Sequence, residues 1–151
     1  MRIQRFDGCH FTIEFVGYQF PEETDYWDGN WLQVAVSAKH PDGWWHATDP
    51  SLLTFEAVEF AGWLEALAGA GTGSRIRFTE PNLSFESVVV DGGTAIRVFF
   101  ELESRPAWAK SIPSDEFWID FPCSEQDLRG AANALRKQLE RFPVRGTADS
   151  D

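Results

Sequence analysis

Between Glu22 and Trp31 the chain sets four carboxylates, one tyrosine and two tryptophans within ten residues: Glu22, Glu23, Asp25, Tyr26, Trp27, Asp28 and Trp31. Carboxylates steer a cationic partner and indoles hold it through buried area, so this interleaving suits recognition better than bond breaking. An acidic loop that only connects two strands needs no indoles. Two readings stay open. Trp27 and Trp31 either tuck into a sheet edge and pin the loop, or join Tyr26 and the carboxylates in a patch that faces a partner. Trp44 and Trp45, just beyond a turn, extend the candidate partner-binding set.

Residues that could do covalent chemistry or hold a metal are present but badly spaced. His10, His40, His46, Cys9, Cys123 and Asp42 show neither a Cys-x-x-Cys nor a His-x-x-x-His pattern, and a metal site needs several ligands brought to one point. Cys9 and His10 are adjacent, which points them apart in a strand. No Gly-x-Ser-x-Gly elbow occurs. The carboxylate pairs Glu22/Glu23 and Glu101/Glu103 read as solvated acids. Gly69-x-Gly71-x-Gly73 resembles a phosphate loop, yet such a loop follows a strand and opens a helix. Here it follows a helical pattern and opens a strand, so it reads as a helix stop. The residues therefore predict no catalytic group, no metal and no cofactor.

The elements that must position these residues are mostly strands. Residues 2–6 and 10–16 flank Asp7-Gly8, a hairpin signal. Pro21 ends the second run, and 22–30 is the acidic loop. Residues 30–40 place Leu32, Val34, Val36 and Ala38 on one face and Trp31, Gln33, Ala35 and Ser37 on the other. Pro41-Asp42-Gly43 turns the chain into a strand over 44–47. From 54 to 70 the apolar residues recur at helical spacing, with Thr54 as N-cap. Strands follow at 75–79, around 83–87 and from 96, where Ile96, Val98, Phe100 and Leu102 make an inner face opposite Arg97, Phe99, Glu101 and Glu103. A loop spans 105–114, and a last strand 116–121. Ser124-Glu125-Gln126-Asp127 is a capping-box variant opening an amphipathic helix to about Phe142. The predicted fold is α+β: a curved antiparallel sheet of about seven to eight strands with two helices packed on one face. One domain covers 1–145, with a frayed tail at 146–151.

Charge sharpens the picture. Eleven acids and one cation, Lys39, fall between residues 7 and 74, which carry −10 of the formal net charge of −11. Nucleic-acid binding needs clustered Lys and Arg, so direct contact with nucleic acid is not expected. No run reaches the ~18 apolar residues of a membrane span, and the N-terminus has no signal-peptide pattern. Cytoplasmic location and free thiols at Cys9 and Cys123 follow as expectations. Three functions fit: a binder of a basic protein, a small-ligand protein whose tryptophans line a carbohydrate or aromatic pocket, or a self-associating domain whose aromatic edge forms a homodimer.

Gly17-Tyr18-Gln19-Phe20-Pro21, Tyr26-Trp27-Asp28-Gly29-Asn30-Trp31-Leu32 and Asp49-Pro50-Ser51-Leu52-Leu53-Thr54-Phe55-Glu56 belong to one ordered series of motifs. It continues through Glu80-Pro81-Asn82-Leu83-Ser84-Phe85-Glu86 and Phe100-Glu101-Leu102-Glu103-Ser104-Arg105-Pro106-Ala107-Trp108-Ala109. It closes with the final helix, from Glu125-Gln126-Asp127-Leu128-Arg129 to Gln138-Leu139-Glu140-Arg141-Phe142-Pro143. Over nearly its whole length the chain resembles the WapI-type immunity proteins of bacteria. The resemblance implies a non-catalytic protein that protects its cell by binding a toxin, in the namesake's case a tRNA-attacking nuclease domain. No binding residues are carried over from the family.

Overall fold

The computed structural model describes residues 1–70, 74–111 and 116–148. In chain order it holds β1 (Arg2–Gln4), β2 (His10–Tyr18), β3 (Trp31–His40), β4 (Gly43–Leu53), α1 (Thr54–Ala70), β5 (Leu83–Val90), β6 (Gly93–Phe100), β7 (Trp118–Pro122) and α2 (Glu125–Leu139). The class is α+β, with seven strands and two α-helices among the described residues, as the patterning predicts. The strands divide into two antiparallel sheets, β1-β2-β3-β4 and β5-β6-β7, neither closed into a barrel.

Period-2 alternation builds the first sheet. Ile13 pairs with Val36 and Val36 with Ala47, so Phe11, Ile13, Phe15, Leu32, Val34, Val36 and Ala38 all fall on one face and are buried. Beyond β1 the free edge of β2 would leave bare backbone groups. Gln138 of α2 covers them: Phe15 N donates to Oε1 at 2.8 Å, and Nε2 donates to the Ile13 carbonyl at 3.2 Å. Phe11 meets Phe85 and Phe100 of the second sheet edge-on, at 5.7 and 5.8 Å. Phe60 of α1 stacks on Phe85 at 4.2 Å. One buried cluster thus takes residues from both sheets and both helices.

α2 begins as the sequence predicts. Ser124 N donates to Asp127 Oδ2 at 2.8 Å and Asp127 N to Ser124 Oγ at 3.1 Å, the full reciprocal cap. Its stripe of Leu128, Ala131, Ala132, Leu135 and Leu139 is buried; the helix ends at Leu139, short of Phe142. α1 begins differently. Thr54 lies inside the helix and its hydroxyl donates to the Asn30 carbonyl at 3.2 Å. The cap comes from Glu56, whose Oε2 accepts from Leu53 N at 3.0 Å.

Five further expectations are corrected. Residues 75–79 form no strand, only the bridge Ile76–Phe85, because Thr79 N and Oγ1 both donate to Glu56 Oε1, at 2.6 and 2.7 Å. β6 stops at Phe100, so Leu102 is not an inner-face residue. It sits at φ 48° and is 52% exposed, in a tight turn that sends the Ser104 carbonyl to Trp45 Nε1 at 2.8 Å. Phe99, placed on the outer face, is buried because the Arg75 guanidinium lies 3.6 Å from its ring centroid. The strand over 44–47 runs on to Leu53 and the one from 116 starts at Trp118. The glycine stretch at 71–73 and the end of the 105–114 loop lie outside the described residues, as do 149–151. Among the described residues no helix is long and apolar enough to cross a membrane.

Candidate functional site

The acidic loop joins β2 to β3 and lies over the start of α1. Asp25 organises its tip. Its Oδ1 accepts from Trp27 N at 2.9 Å and Asp28 N at 2.8 Å, an Asx-type turn that fixes the backbone on either side of Trp27. Tyr26 stacks on Phe55 at 4.6 Å with an interplanar angle of 1°. Trp27 meets both rings edge-on, at 5.5 and 5.8 Å, and stays 51% exposed. The loop's Tyr26 and Trp27 therefore form a preordered trio with Phe55 of α1, Trp27 outermost.

The chain beyond α2 holds the loop from the other side. Asn30, fully buried, donates from Nδ2 to the carbonyls of Tyr26 at 2.7 Å and Arg145 at 2.8 Å, and accepts from Arg145 N at 2.9 Å. Arg145 Nη1 lies 2.7 Å from the Glu23 carbonyl, 3.1 Å from that of Pro21 and 3.3 Å from that of Phe20. Its guanidinium sits 3.5 Å from the Tyr18 ring centroid. Burial pushes the Tyr18 phenol above its ordinary pKa, with Arg145 opposing; the hydroxyl donates to the Pro143 carbonyl at 2.6 Å. Gly146, at φ 64°, leaves room for the Tyr26 backbone, whose N would be 2.7 Å from any Cβ there.

This arrangement has an electrostatic consequence. Arg145 spends its charge on carbonyl oxygens rather than on carboxylates. Among the described residues no ion pair engages Glu22, Glu23, Asp25 or Asp28, and Glu22, Glu23 and Asp28 are exposed. From α2, Arg136 does reach a first-half acid, Glu65, at 2.6 Å, and holds that carboxyl below its usual range. Arg129 pairs with Glu125 of its own helix. The helix does not neutralise the loop.

Not every predicted residue belongs to this patch. Trp31 is half-buried at the start of β3. Trp45 is corrected to a core residue, 9% exposed and packed on Phe100 and Trp108. Trp44 is 59% exposed and lies 5.2 Å from His46. It pairs with Lys39 while Trp31 pairs with Leu53, which places it about 26 Å away along β3 at ~3.3 Å per residue. Phe55 and Arg145 were missed. Phe55 reads as an ordinary helix-start aromatic, and nothing local to Arg145 signals a contact more than a hundred residues upstream.

No group of three or more His, Cys, Asp or Glu that could hold a metal occurs among the described residues. Both cysteines are free. Burial raises the Cys9 thiol and pushes Cys123 up to about 12. At pH 8 Cys123 is then thiolate in roughly one molecule in ten thousand. Iodoacetamide at that pH should leave both thiols unmodified in the native protein and label both in denaturant, read by mass spectrometry. Rapid native labelling of Cys123 would reopen a nucleophilic role.

Residues 2–143 match the model of the Immunity protein WapI-like family, and the chain therefore belongs to that family of immunity proteins. An immunity role and a protein partner, a toxin, come with that membership. No curated protein matches the chain significantly.

Proposed function

We propose that this chain is a non-catalytic, cytoplasmic inhibitor that neutralises a basic toxin domain, such as a nuclease, by covering its cationic cleft. The observation that carries the reading is the acidic loop. Glu22, Glu23 and Asp28 have no ion-pair partner among the described residues and flank the exposed Trp27 in sequence, on a backbone held by Asn30 and Arg145. A nuclease that grips nucleic acid presents clustered cations. An acidic surface facing them gains association rate by steering, and a rigid aromatic at its centre gains residence time. Direct binding to nucleic acid is disfavoured by the same charge.

The pocket reading has less support. The two roomiest described cavities, about 490 and 460 Å³, are lined without any aromatic residue, where a sugar-binding pocket would use ring faces.

The test is association kinetics against a candidate basic toxin domain, at two salt concentrations. Asp25 is left intact because its carboxylate shapes the loop. Reversing Glu22, Glu23 and Asp28 together to Lys should slow association about tenfold and flatten its salt dependence, leaving dissociation nearly unchanged. Each reversal alone should cost ~0.2–1 kcal/mol. An unchanged association rate and salt slope would remove the loop from the interface.

A further inference from the structure

Beside the acidic loop lies a smaller cavity of about 200 Å³, lined by Gln19, Phe20, Trp31, Pro50 and Glu80. Its walls are fixed by bonds that do not involve the cavity itself. Gln19 N donates to the Trp31 carbonyl at 2.7 Å, and the Gln19 carboxamide oxygen is taken by Gln33 Nε2. Glu80 sits between two tethered residues: Thr79, held by Glu56, and Asn82, whose Nδ2 reaches Asp49 at 3.1 Å and Glu103 at 3.2 Å. Phe20 is 43% exposed. Glu80 is half-buried as a residue, and among the described residues no hydrogen bond or ion pair engages its carboxylate.

We propose that this cavity is a receptor for a single arginine side chain of the basic partner, the guanidinium lying on Trp31 and Phe20 and pairing with Glu80. Three observations converge. Ligand pockets for whole small molecules start at about 300 Å³, so this one is sized for one side chain. Flat aromatic and proline walls with a lone carboxylate at one side match a planar, weakly hydrated cation that stacks, which is arginine rather than lysine. The same corner of the molecule already treats its own Arg145 this way, over Tyr18 and against carbonyl oxygens. The site adjoins Phe20 and Trp31 at the two ends of the acidic loop, so a partner drawn to Glu22 and Glu23 delivers its cations here.

The identity of the partner rests on the inhibitor reading above; the pocket's chemistry does not, and the probe titration needs no toxin, which enters only through the kinetics already described. N-acetylarginine amide is titrated into the 15N-labelled full chain, with N-acetylcitrulline amide as the uncharged isostere. The arginine probe should shift the Trp31 indole N–H saturably, and citrulline should not. Glu80→Gln should weaken the arginine probe about tenfold, and Phe20→Ala similarly, whereas Glu125→Gln, an exposed carboxylate at the start of α2, should change it little. Equal shifts from citrulline, or a response unchanged in Glu80→Gln, would overturn the assignment. Toxin binding that persists while the probe fails would sink the pocket alone. A saturating probe response in a protein that binds no toxin would sink the inhibitor reading and leave the pocket.

Discussion

Replacing Trp27 by alanine should speed dissociation from the cognate toxin about 30-fold, a loss of ~2 kcal/mol, with little change in association rate. The effect is expected to exceed that of any single carboxylate because of how Trp27 is held. Its backbone N–H is tied to Asp25, and its ring rests edge-on against Tyr26 and Phe55. The side chain is half out in solvent yet already ordered, so little conformational entropy is lost when a partner covers it. Being half-exposed, it should contribute little to the fold, and the thermal midpoint of Trp27→Ala should stay near that of the parent. Surface-based kinetics on both proteins give the comparison. An unchanged dissociation rate would reassign Trp27 to pinning the loop, and Trp44 with His46, at the far end of β3 and β4, would become the next surface to test.

The parts of this molecule that sequence foretold are those governed by local periodicity. The inner face of β3, the Ser124–Asp127 cap and the stripe of α2 depend on residues two to four positions apart, and all three stand as read. Where the reading failed, a distant group had intervened. Residues 75–79 alternate like a strand, but Glu56 takes the Thr79 N–H that a ladder would need. Leu102 continues the alternation of β6, but the Trp45 indole is satisfied only if the chain turns to offer Ser104. Trp45 itself sits beside Trp44 in sequence and on the opposite face in space, so one is core and the other is exposed. Of the site, sequence supplied the acids and the indoles. It could not supply the frame, because Arg145 and Asn30 meet across 115 positions, and backbone carbonyls leave no mark in residue types. That frame decides whether the acids are available: an arginine beside an acidic loop would ordinarily be expected to quench it.

Asn30→Ala should therefore cost more stability than its size suggests, about 3 kcal/mol. The side chain makes three hydrogen bonds, all within 2.9 Å. Each is worth ~1 kcal/mol net, and more where a buried group is left stranded. Asn30 is fully buried, and water reaches the vacated carbonyls only if the loop lifts. Urea unfolding measures the loss. Hydrogen exchange locates it, and protection should fall over 20–31 and 143–146 while β3 and α2 keep theirs. Asn30→Asp separates the cause from mere volume. It retains an acceptor for Arg145 N but turns an anion toward the Tyr26 and Arg145 carbonyls, so it should destabilise at least as much as alanine despite conserving shape. Were Asn30→Asp neutral, the two carbonyls would not depend on the amide, and the loop would be ordered by its aromatic trio alone. If the loss is as expected, association with the toxin should also slow in both variants with every carboxylate still in place, because the loop must then be ordered during binding rather than before it.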